Sequence, residues 1–180
     1  IDMVKQCGEQ GVKIIDTGEM GIGNTTTSSA LAAALLGLDI DLVTGRGAGL
    51  GNAGLERKKY VIKDALERYI PDEDTDRTSP EFTMQMLSAV GGLDIAGMAG
   101  VFIGGAIHHI PVVIDGFISA VAALVAERLA PGCRQCMLAS HAGKEPGMKY
   151  LLDTLELTPV IDAGLALGEG TGAVMLMPLL

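Results

Sequence analysis

The chain has 180 residues, 48% of them hydrophobic and 19% charged, a balance that excludes a disordered segment and is typical of a globular protein with a buried core. Its formal net charge of −9 excludes a general affinity for nucleic acid or for anionic membranes, because both need a basic face. Gly, His or Asp interrupts every apolar run before it reaches the roughly 18 residues of a membrane span, so no membrane partner is expected.

Four short β-branched runs, each ending in Asp or Ser, predict strands near residues 12–16, 111–115, 136–140 and 159–162. Apolar periodicity predicts helices over 25–36, 55–69 and 117–130, and Ser79 is predicted to cap a further helix. Strands that alternate with helices are typical of parallel strands joined by helical crossovers. We therefore expect one α/β domain over residues 1–180, with a mainly parallel sheet and helices on both faces, in the Rossmann-like manner.

Small and apolar residues fill 91–106 and predict a tightly packed helix. His108 and His109 are adjacent and point in different directions, which favours a turn before a strand over a metal site. Cys133 and Cys136 have CxxC spacing, so redox or zinc chemistry stays open beside an incidental pair in a turn. No metal is expected, and the odd count of three cysteines predicts a reducing, cytoplasmic location.

A polar, glycine-containing segment follows each of the four predicted strands. In chain order these segments are "GEMGIGNT", "DG", "SHAGKEPG" and "GLALGEGTGA". Because ligands of such sheets bind at the carboxyl ends of the strands, these four loops are expected to converge on one site.

The first loop, "GEMGIGNTTTSSAL", has glycines that would let backbone amides approach a phosphate at a helix start. It lacks the lysine of the triphosphate motif, and the spacing of Gly18, Gly21 and Gly23 does not match GxGxxG. By its own chemistry the loop is either a phosphate site or a tight turn between strand and helix.

Five segments extend the argument: "TGEMGIGNTTTSSAL", "GRGAGL", "PVVIDGFISA", "SHAGKEPG" and "LGEGTGAVMLMPLL". In order and spacing they resemble the nicotinate mononucleotide:5,6-dimethylbenzimidazole phosphoribosyltransferases of cobalamin nucleotide-loop assembly, over essentially the whole chain. The resemblance implies transfer of a phosphoribosyl group from nicotinate mononucleotide to a benzimidazole base, with release of nicotinate and formation of alpha-ribazole 5'-phosphate. It implies no cofactor and no magnesium, and it implies a homodimer.

The resemblance also implies roles for residues. It assigns the base that accepts the benzimidazole proton to Glu169, with Glu19 as a second acid near the reacting groups. It places the substrates against Met20, Gly21, Ile22, Gly23, Asn24, Thr25, Lys58, Asp115, His141, Gly143, Leu167, Gly168, Gly170 and Thr171. From the residues alone, each glutamate is equally a capping or loop-bracing side chain, and Lys58 is equally part of a solvated helix face.

Two departures from the family pattern matter. Gly143 stands where the family has a serine, so Lys144 or a backbone amide is the candidate replacement for that phosphate contact. Family members also have long segments before and after the matching part. The sequence is therefore expected to be a piece of a longer two-domain chain that lacks most of a small helical domain. A non-catalytic module that binds a nucleotide phosphate and an inactive fragment stay open as other classes of function.

Overall fold

The computed structural model describes residues 1–70, 72, 75–165 and 168–180. Its α-helices are α1 (Asp2–Glu9), α2 (Asn24–Leu36), α3 (Ile40–Val43), α4 (Asn52–Tyr69), α5 (Pro80–Val90), α6 (Leu93–His108), α7 (Phe117–Leu129), α8 (Met148–Leu155) and α9 (Thr171–Leu176). Its strands are β1 (Ile15–Asp16), β2 (Val112–Ile114), β3 (Met137–Ala139), β4 (His141–Gly143) and β5 (Ile161–Leu165). Short 3-10 helices cover Cys133–Cys136 and Met177–Leu179.

All strand pairs in the described residues are parallel, as predicted. The first sheet has the order β1-β2-β3, with Ile15 opposite Val112 and Val113 opposite Leu138. The second sheet pairs β4 with β5. Only Ser140 separates β3 from β4, and the N–H of Ile161 donates to its carbonyl oxygen at 3.0 Å. The carboxyl ends of the strands therefore lie along one edge, as a ligand site of this class requires.

The strand bounds differ from the predicted ones at both edges. The run 12–16 pairs with β2 only from Ile15 onward, because the N–H of Val12 donates instead to the carbonyl of Cys7 at the end of α1 (3.0 Å). The last strand, β5, extends to Leu165 because β4, which follows β3 along the chain, pairs with β5. In this pairing Gly143 lies opposite Leu165. Pattern alone does not show which backbone groups have a partner.

Helices cover both faces of the sheet, as predicted. Val112 and Ile114 point to a large core that α2, α5, α6, α7 and α8 complete, and residues 117–126 of α7 are all buried. Val113 points to the other face, where it packs with Ala173 and Leu176 of α9. This alternation is the period of two expected of a strand buried on both faces.

The predicted helix boundaries are confirmed within three residues. Helix α2 begins one residue early, α4 begins at Asn52 and α7 ends at Leu129. Ser79 caps α5, since its hydroxyl accepts from the N–H of Phe82 at 3.2 Å. His108 is the last residue of α6, and His109 caps the helix with φ of 55°, with two residues between it and β2, so only His109 lies in the predicted turn. Among the described helices, none is long and apolar enough to span a membrane.

Helix α6 is the predicted small-residue helix, and its glycines let neighbouring backbones approach. A Cβ at Gly104 would lie 3.0 Å from the side chain of Val4 on α1. A Cβ at Gly105 would lie 2.7 Å from the carbonyl oxygen of Ile110 and would press on the side chain of Val112. Gly97, on the same helix, has open space around it.

This contrast predicts opposite effects of one substitution at two positions of α6. Gly105→Ala is expected to lower the free energy of unfolding of the full-length protein by about 1–3 kcal/mol, because backbone and side chain must shift to admit the methyl group. Gly97→Ala is expected to raise it by up to about 1 kcal/mol, because alanine is the better helix former and meets no neighbour. Urea unfolding checks both values, and equal effects would contradict the packing described.

Candidate active site

The loops at the carboxyl ends of the strands meet around a cavity of about 830 Å³. Its lining includes residues 18–21 after β1, 115–119 after β2, 143–146 at the end of β4 and 168–169 after β5. The four predicted loops therefore converge. Residues 44–48, between α3 and α4, form a fifth wall that the strand pattern does not reveal. A cavity of this size is within the range that holds small molecules.

The carboxylate of Asp115 joins the end of β2 to the loop that carries Glu169. Asp115 is only 3% exposed. Its Oδ2 accepts from the N–H of Gly170 at 3.1 Å, and its Oδ1 accepts from the N–H of Ala173 at 3.0 Å. Hydrogen bonds to a charged group are worth about 1.5–3 kcal/mol each, so this side chain anchors the start of α9. Asp115 was predicted to contact substrate, and its two carboxylate oxygens are directed to backbone amides.

Buried hydroxyls fix the backbone on either side of Asp115. Thr17 Oγ1 donates to the carbonyl of Val113 at 2.6 Å, so Ser119 Oγ must donate to Thr17 Oγ1 across 2.5 Å. Ser119 Oγ in turn accepts from the N–H of Asp115 at 3.3 Å. The loops after β1 and β2 are thus tied together beside the cavity, which Ser119 also lines.

His141 continues the same network. Ser140 Oγ donates to the carbonyl of Asp115 at 3.1 Å and lies 2.9 Å from His141 Nδ1. Because the hydroxyl proton is already used, Nδ1 carries the imidazole proton. Burial lowers the pKa of His141, and the charge of Asp115 opposes that shift. The unfolded chain therefore binds the proton more readily, and His141 costs stability as the pH falls below its ordinary pKa.

Two glycines let these loops touch. A Cβ at Gly18 would lie 2.6 Å from the backbone nitrogen of Gly170. A Cβ at Gly172 would overlap the ring of His141 and would lie 2.8 Å from Asp115 Oδ1. Gly172 was not among the predicted site residues, although its place in "GEGTGA" was the available signal.

Glu169 lies at the mouth of the cavity in an uncommon backbone conformation. Its side chain is exposed and lines the cavity, and its φ is 61°. A non-glycine residue in the left-handed region costs about 1–2 kcal/mol, which the bond from Gly170 to Asp115 offsets. The backbone thus holds Glu169 in place while its carboxylate faces solvent.

Glu19, by contrast, is half-buried and turned into its own loop. Its Oε2 accepts from the N–H of Gly21 and, at 2.6 Å, from Asn24 Nδ2. The same Nδ2 donates to Asp94 of α6 at 2.7 Å. One carboxylate oxygen of Glu19 therefore braces its own loop, as the alternative interpretation expected. Asp94 also belongs to this hydrogen-bonded cluster, although no sequence motif indicated it.

Gly21 and Gly23 both have φ of 78°, which few other residues adopt, and they lead directly into α2. Met20 and Ile22 between them are 73% and 80% exposed. Thr25, in the first turn of α2, lines the cavity. The loop thus brings backbone amides and the positive end of α2 to the cavity, the arrangement that suits an anion.

Lys58 is buried rather than solvated, so the alternative of a solvated helix face is wrong. It is 5% exposed, and its Nζ donates to the carbonyl of Gly45 at 2.9 Å and to Thr25 Oγ1 at 3.1 Å. Burial lowers the pKa of Lys58, and the charge of Glu145 opposes that shift. Lys58 therefore lies behind the cavity wall that Thr25 and Gly45 form.

The predicted site residues fall into two groups according to whether they line the cavity. Those that line the cavity are Glu19, Met20, Gly21, Thr25, Asp115, His141, Gly143, Gly168 and Glu169. Those outside its described lining are Ile22, Gly23, Asn24, Lys58, Gly170 and Thr171. Leu167 lies outside the described residues. Phe117 and Ile118, which follow β2, also line the cavity, and the sequence analysis did not identify them as site residues.

The cysteine pair is placed away from this cavity, in the 3-10 helix before β3. Its cysteines are free, and burial together with the Glu127 carboxylate raises the pKa of Cys133 to about 12. A thiol with such a pKa stays protonated at neutral pH, which disfavours redox chemistry. Within the described residues, no group of three metal-ligating side chains occurs.

Comparison with known proteins gives one consistent result. A sequence model described as Phosphoribosyltransferase matches residues 1–180. The nicotinate-nucleotide–dimethylbenzimidazole phosphoribosyltransferase of Ruminiclostridium cellulolyticum is 45% identical over 175 residues, which are 97% of this chain and 48% of that protein. The protein of the same name from Roseiflexus sp. is 48% identical over 171 residues, which are 95% of this chain and 46% of that protein.

Solved structures agree with the sequence comparison. The crystal structure of CobT from Thermus thermophilus has a TM-score of 0.89 and 40% identity, and the match covers 99% of this chain and 51% of that one. The chain thus spans about half the length of the curated relatives it matches.

The network predicts that Asp115→Asn weakens the fold and changes His141. An amide has one acceptor oxygen, and its NH₂ would face a backbone N–H, so the free energy of unfolding is expected to fall by about 2 kcal/mol or more. The pKa of His141 is expected to fall further, because Asp115 raises it against burial. Urea unfolding and NMR titration of the His141 ring check both effects in the full-length protein.

Asp162→Asn is the matched control, since Asp162 is exposed on β5. It removes the same charge and is expected to leave both quantities unchanged. An unchanged pKa of His141 in Asp115→Asn would contradict the proximity of the two groups.

Proposed function

Because the chain belongs to the phosphoribosyltransferase family whose model spans residues 1–180, we propose that the full-length protein transfers the phosphoribosyl group of nicotinate mononucleotide to 5,6-dimethylbenzimidazole or a related base. The products are nicotinate and alpha-ribazole 5'-phosphate, for cobalamin biosynthesis. The names of the relatives support this choice of substrates. The observation that carries it is the convergence of two glycine loops, one with Glu19 and one with Glu169, on a single cavity.

The reaction needs one base and no activating metal. A lone pair on one benzimidazole nitrogen attacks the anomeric carbon of the ribotide and forms the new C–N bond. The bond to nicotinate breaks at the same carbon, and its electron pair neutralises the positively charged pyridinium nitrogen. The configuration inverts, and the proton on the other benzimidazole nitrogen must pass to a base. A carboxylate within reach of that proton is suitable.

Glu169 is the base in this proposal. Its side chain borders the cavity, while its backbone is tied through Gly170 to the buried Asp115. A base on a rigid loop keeps its carboxylate near the bound ring without requiring the loop to reorganise. Glu19 is the second acid, with its orientation set by Gly21 and Asn24.

The donor phosphate occupies the end of the cavity at Gly21 and Thr25. An acidic protein repels phosphate at long range, so short-range donors must hold it. Positive φ at Gly21 turns the loop toward the start of α2, whose first N–H groups lack intrahelical partners. Lys144 follows Gly143 in the cavity lining and supplies a positive charge near the position where the family has serine.

The benzimidazole ring packs against apolar residues of the same cavity. Met20, Leu55, Phe117, Ile118 and Leu165 contribute to its lining. Apolar walls with few polar groups are typical of sites for flat aromatic ligands.

We also propose that residues 1–180 form one α/β domain of a longer two-domain chain, and that the whole protein is a cytoplasmic homodimer. Half-length coverage of the relatives supports the first statement, and the family resemblance supports the dimer. Light scattering of the full-length protein is expected to give the dimer mass, and a monomer at high concentration would contradict it.

Replacement of the proposed base tests the function directly. Glu169→Gln in the full-length protein is expected to lower turnover by about 10²–10⁴-fold, because the amide cannot accept the proton. Affinity for nicotinate mononucleotide is expected to stay nearly unchanged, because the phosphate is held elsewhere. Nicotinate release measures turnover, and calorimetric titration measures binding.

Glu67→Gln is the matched control, since Glu67 lies on the exposed side of α4 and its carboxylate is 3.7 Å from the Lys63 ammonium. It is expected to keep full turnover. A loss below about tenfold in Glu169→Gln would move the role of base elsewhere, with Glu19 the first candidate.

A further inference from the structure

Two carboxylates share the side-chain amide of Asn24, the first residue of α2. Asn24 Nδ2 donates to Glu19 Oε2 at 2.6 Å and to Asp94 Oδ2 at 2.7 Å. An NH₂ group has two protons, so each carboxylate takes one of them. Asp94 lies in the first turn of α6, 70 residues farther along the chain, so this amide joins two elements that are distant in sequence.

The two carboxylates decide which way the Asn24 amide faces. A rotation of the amide by half a turn would exchange its NH₂ and carbonyl groups and bring Oδ1 against two negatively charged oxygens. The observed orientation leaves Oδ1 buried without a hydrogen-bond partner in the described part of the chain. An unpaired buried oxygen is costly, so the two bonds from Nδ2 to charged oxygens must outweigh this cost.

Asp94 has a defined position although its side chain is exposed. A Cβ at Gly92 would overlap Asp94 Oδ1, so the carboxylate lies back over the start of α6, with Oδ1 against Gly92 and Oδ2 toward Asn24. Its negative charge is favourable there, because the first turn of a helix is the positive end of the helix dipole. Among the described residues neither Asp94 nor Glu19 has an ion-pair partner, so no cation competes with Asn24 for their oxygens.

The shared amide limits the freedom of Glu19. Its Oε2 accepts from Asn24 and from the N–H of Gly21, whereas its Oε1 has no hydrogen-bond partner within the residues that the structure describes. Glu19 lines the cavity, so Oε1 is the oxygen that remains for a ligand. A carboxylate held through one oxygen presents the other in a fixed direction, which a catalytic acid near the reacting atoms requires.

We propose that Asp94 is a positioning residue that acts through the Asn24 amide and holds the Glu19 carboxylate in the direction required for turnover. The part of Glu19 in phosphoribosyl transfer rests on the proposed function, whereas the bridge from Glu19 through Asn24 to Asp94 stands without it. Because Asp94 is exposed, water replaces its hydrogen bond when the carboxylate is removed, so its loss affects turnover more than stability.

The bridge is tested first in the full-length protein without ligand. Proton–nitrogen NMR observes the two NH₂ protons of Asn24, which are assigned by their loss in Asn24→Ala. In Asp94→Ala the proton that faces position 94 is expected to shift upfield and to exchange faster with water. Glu81→Gln is the matched control, because Glu81 is exposed and is the second residue of α5, as Asp94 is of α6, and it is expected to leave both protons unchanged. Two unchanged protons in Asp94→Ala overturn the bridge.

The second measurement is nicotinate release from nicotinate mononucleotide with dimethylbenzimidazole as the acceptor. In Asp94→Ala kcat is expected to fall about tenfold, the effect of one lost positioning hydrogen bond, while KM for nicotinate mononucleotide stays nearly unchanged. Asp94→Asn keeps an acceptor oxygen for Asn24 and is expected to restore part of the loss, and Glu81→Gln is expected to keep full turnover. An unchanged kcat in Asp94→Ala, with or without a raised KM for the ribotide, overturns the positioning role.

A double-mutant cycle distinguishes positioning from a merely structural effect. If Asp94 acts through Glu19, Asp94→Ala is expected to change kcat by less than about twofold in a Glu19→Gln background, because residues that act as a unit are not additive. A further loss of about tenfold in that background would show that Asp94 acts through the fold and would overturn the proposal.

Two outcomes separate this inference from the proposed function. If the parent protein releases no nicotinate while the Asn24 protons respond to Asp94→Ala, the proposed function is wrong and the role in turnover fails with it, whereas the bridge stands. If the parent protein is active and Glu19→Gln keeps full turnover, the position of Glu19 does not matter for the reaction. The inference then fails, whereas the proposed function, with Glu169 as the base, stands.

Discussion

The buried carboxylate of Asp115 is the interaction on which the arrangement of the site depends. A carboxylate at 3% exposure loses most of its hydration, a cost of several kcal/mol. Two backbone N–H groups offset this cost, one from Gly170 directly before α9 and one from Ala173 in the first turn of α9. The loop therefore cannot move away from β2 without leaving a charge buried and unpaired. Because Gly18 also touches Gly170, the same constraint sets the distance between the two glutamate loops.

A second buried charge lies behind the cavity wall. Lys58 stabilises the contact between the start of α2 and the 44–48 loop, and Glu145 of the loop after β4 lies against Gly45. The carboxylates of Glu19 and Glu169 border the same cavity, and Lys58 lies behind the wall that Thr25 and Gly45 form. On a chain with a net charge of −9, an anion in this cavity would need short-range donors, because the long-range field repels it.

Much of the fold could be predicted because strands and helices leave local signals. The runs at 111–115 and 136–140 contain β2 and β3, and Ser79 caps α5 as its type and position indicate. The parallel order followed from the alternation of strands and helices, and convergence of four loops followed from the parallel order. The bounds of β1 and β5 did not follow, because they depend on which backbone groups find partners in other elements.

The sequence by itself determined the α/β class, the succession of elements and the glycine loops that carry Glu19 and Glu169, since period, capping residues and glycine positions act over a few neighbouring residues. Family resemblance singled out the two glutamates, whereas their surroundings came from the tertiary structure. From the sequence, where charged residues flank it, Lys58 was equally a solvated side chain, yet it is 5% exposed and donates to Gly45 and Thr25. The sequence did not indicate that the oxygens of Asp115 accept from amides 55 and 58 residues away. Only the tertiary structure could decide these roles, because burial and hydrogen-bond partners are set by segments that are distant in the chain and adjacent in space.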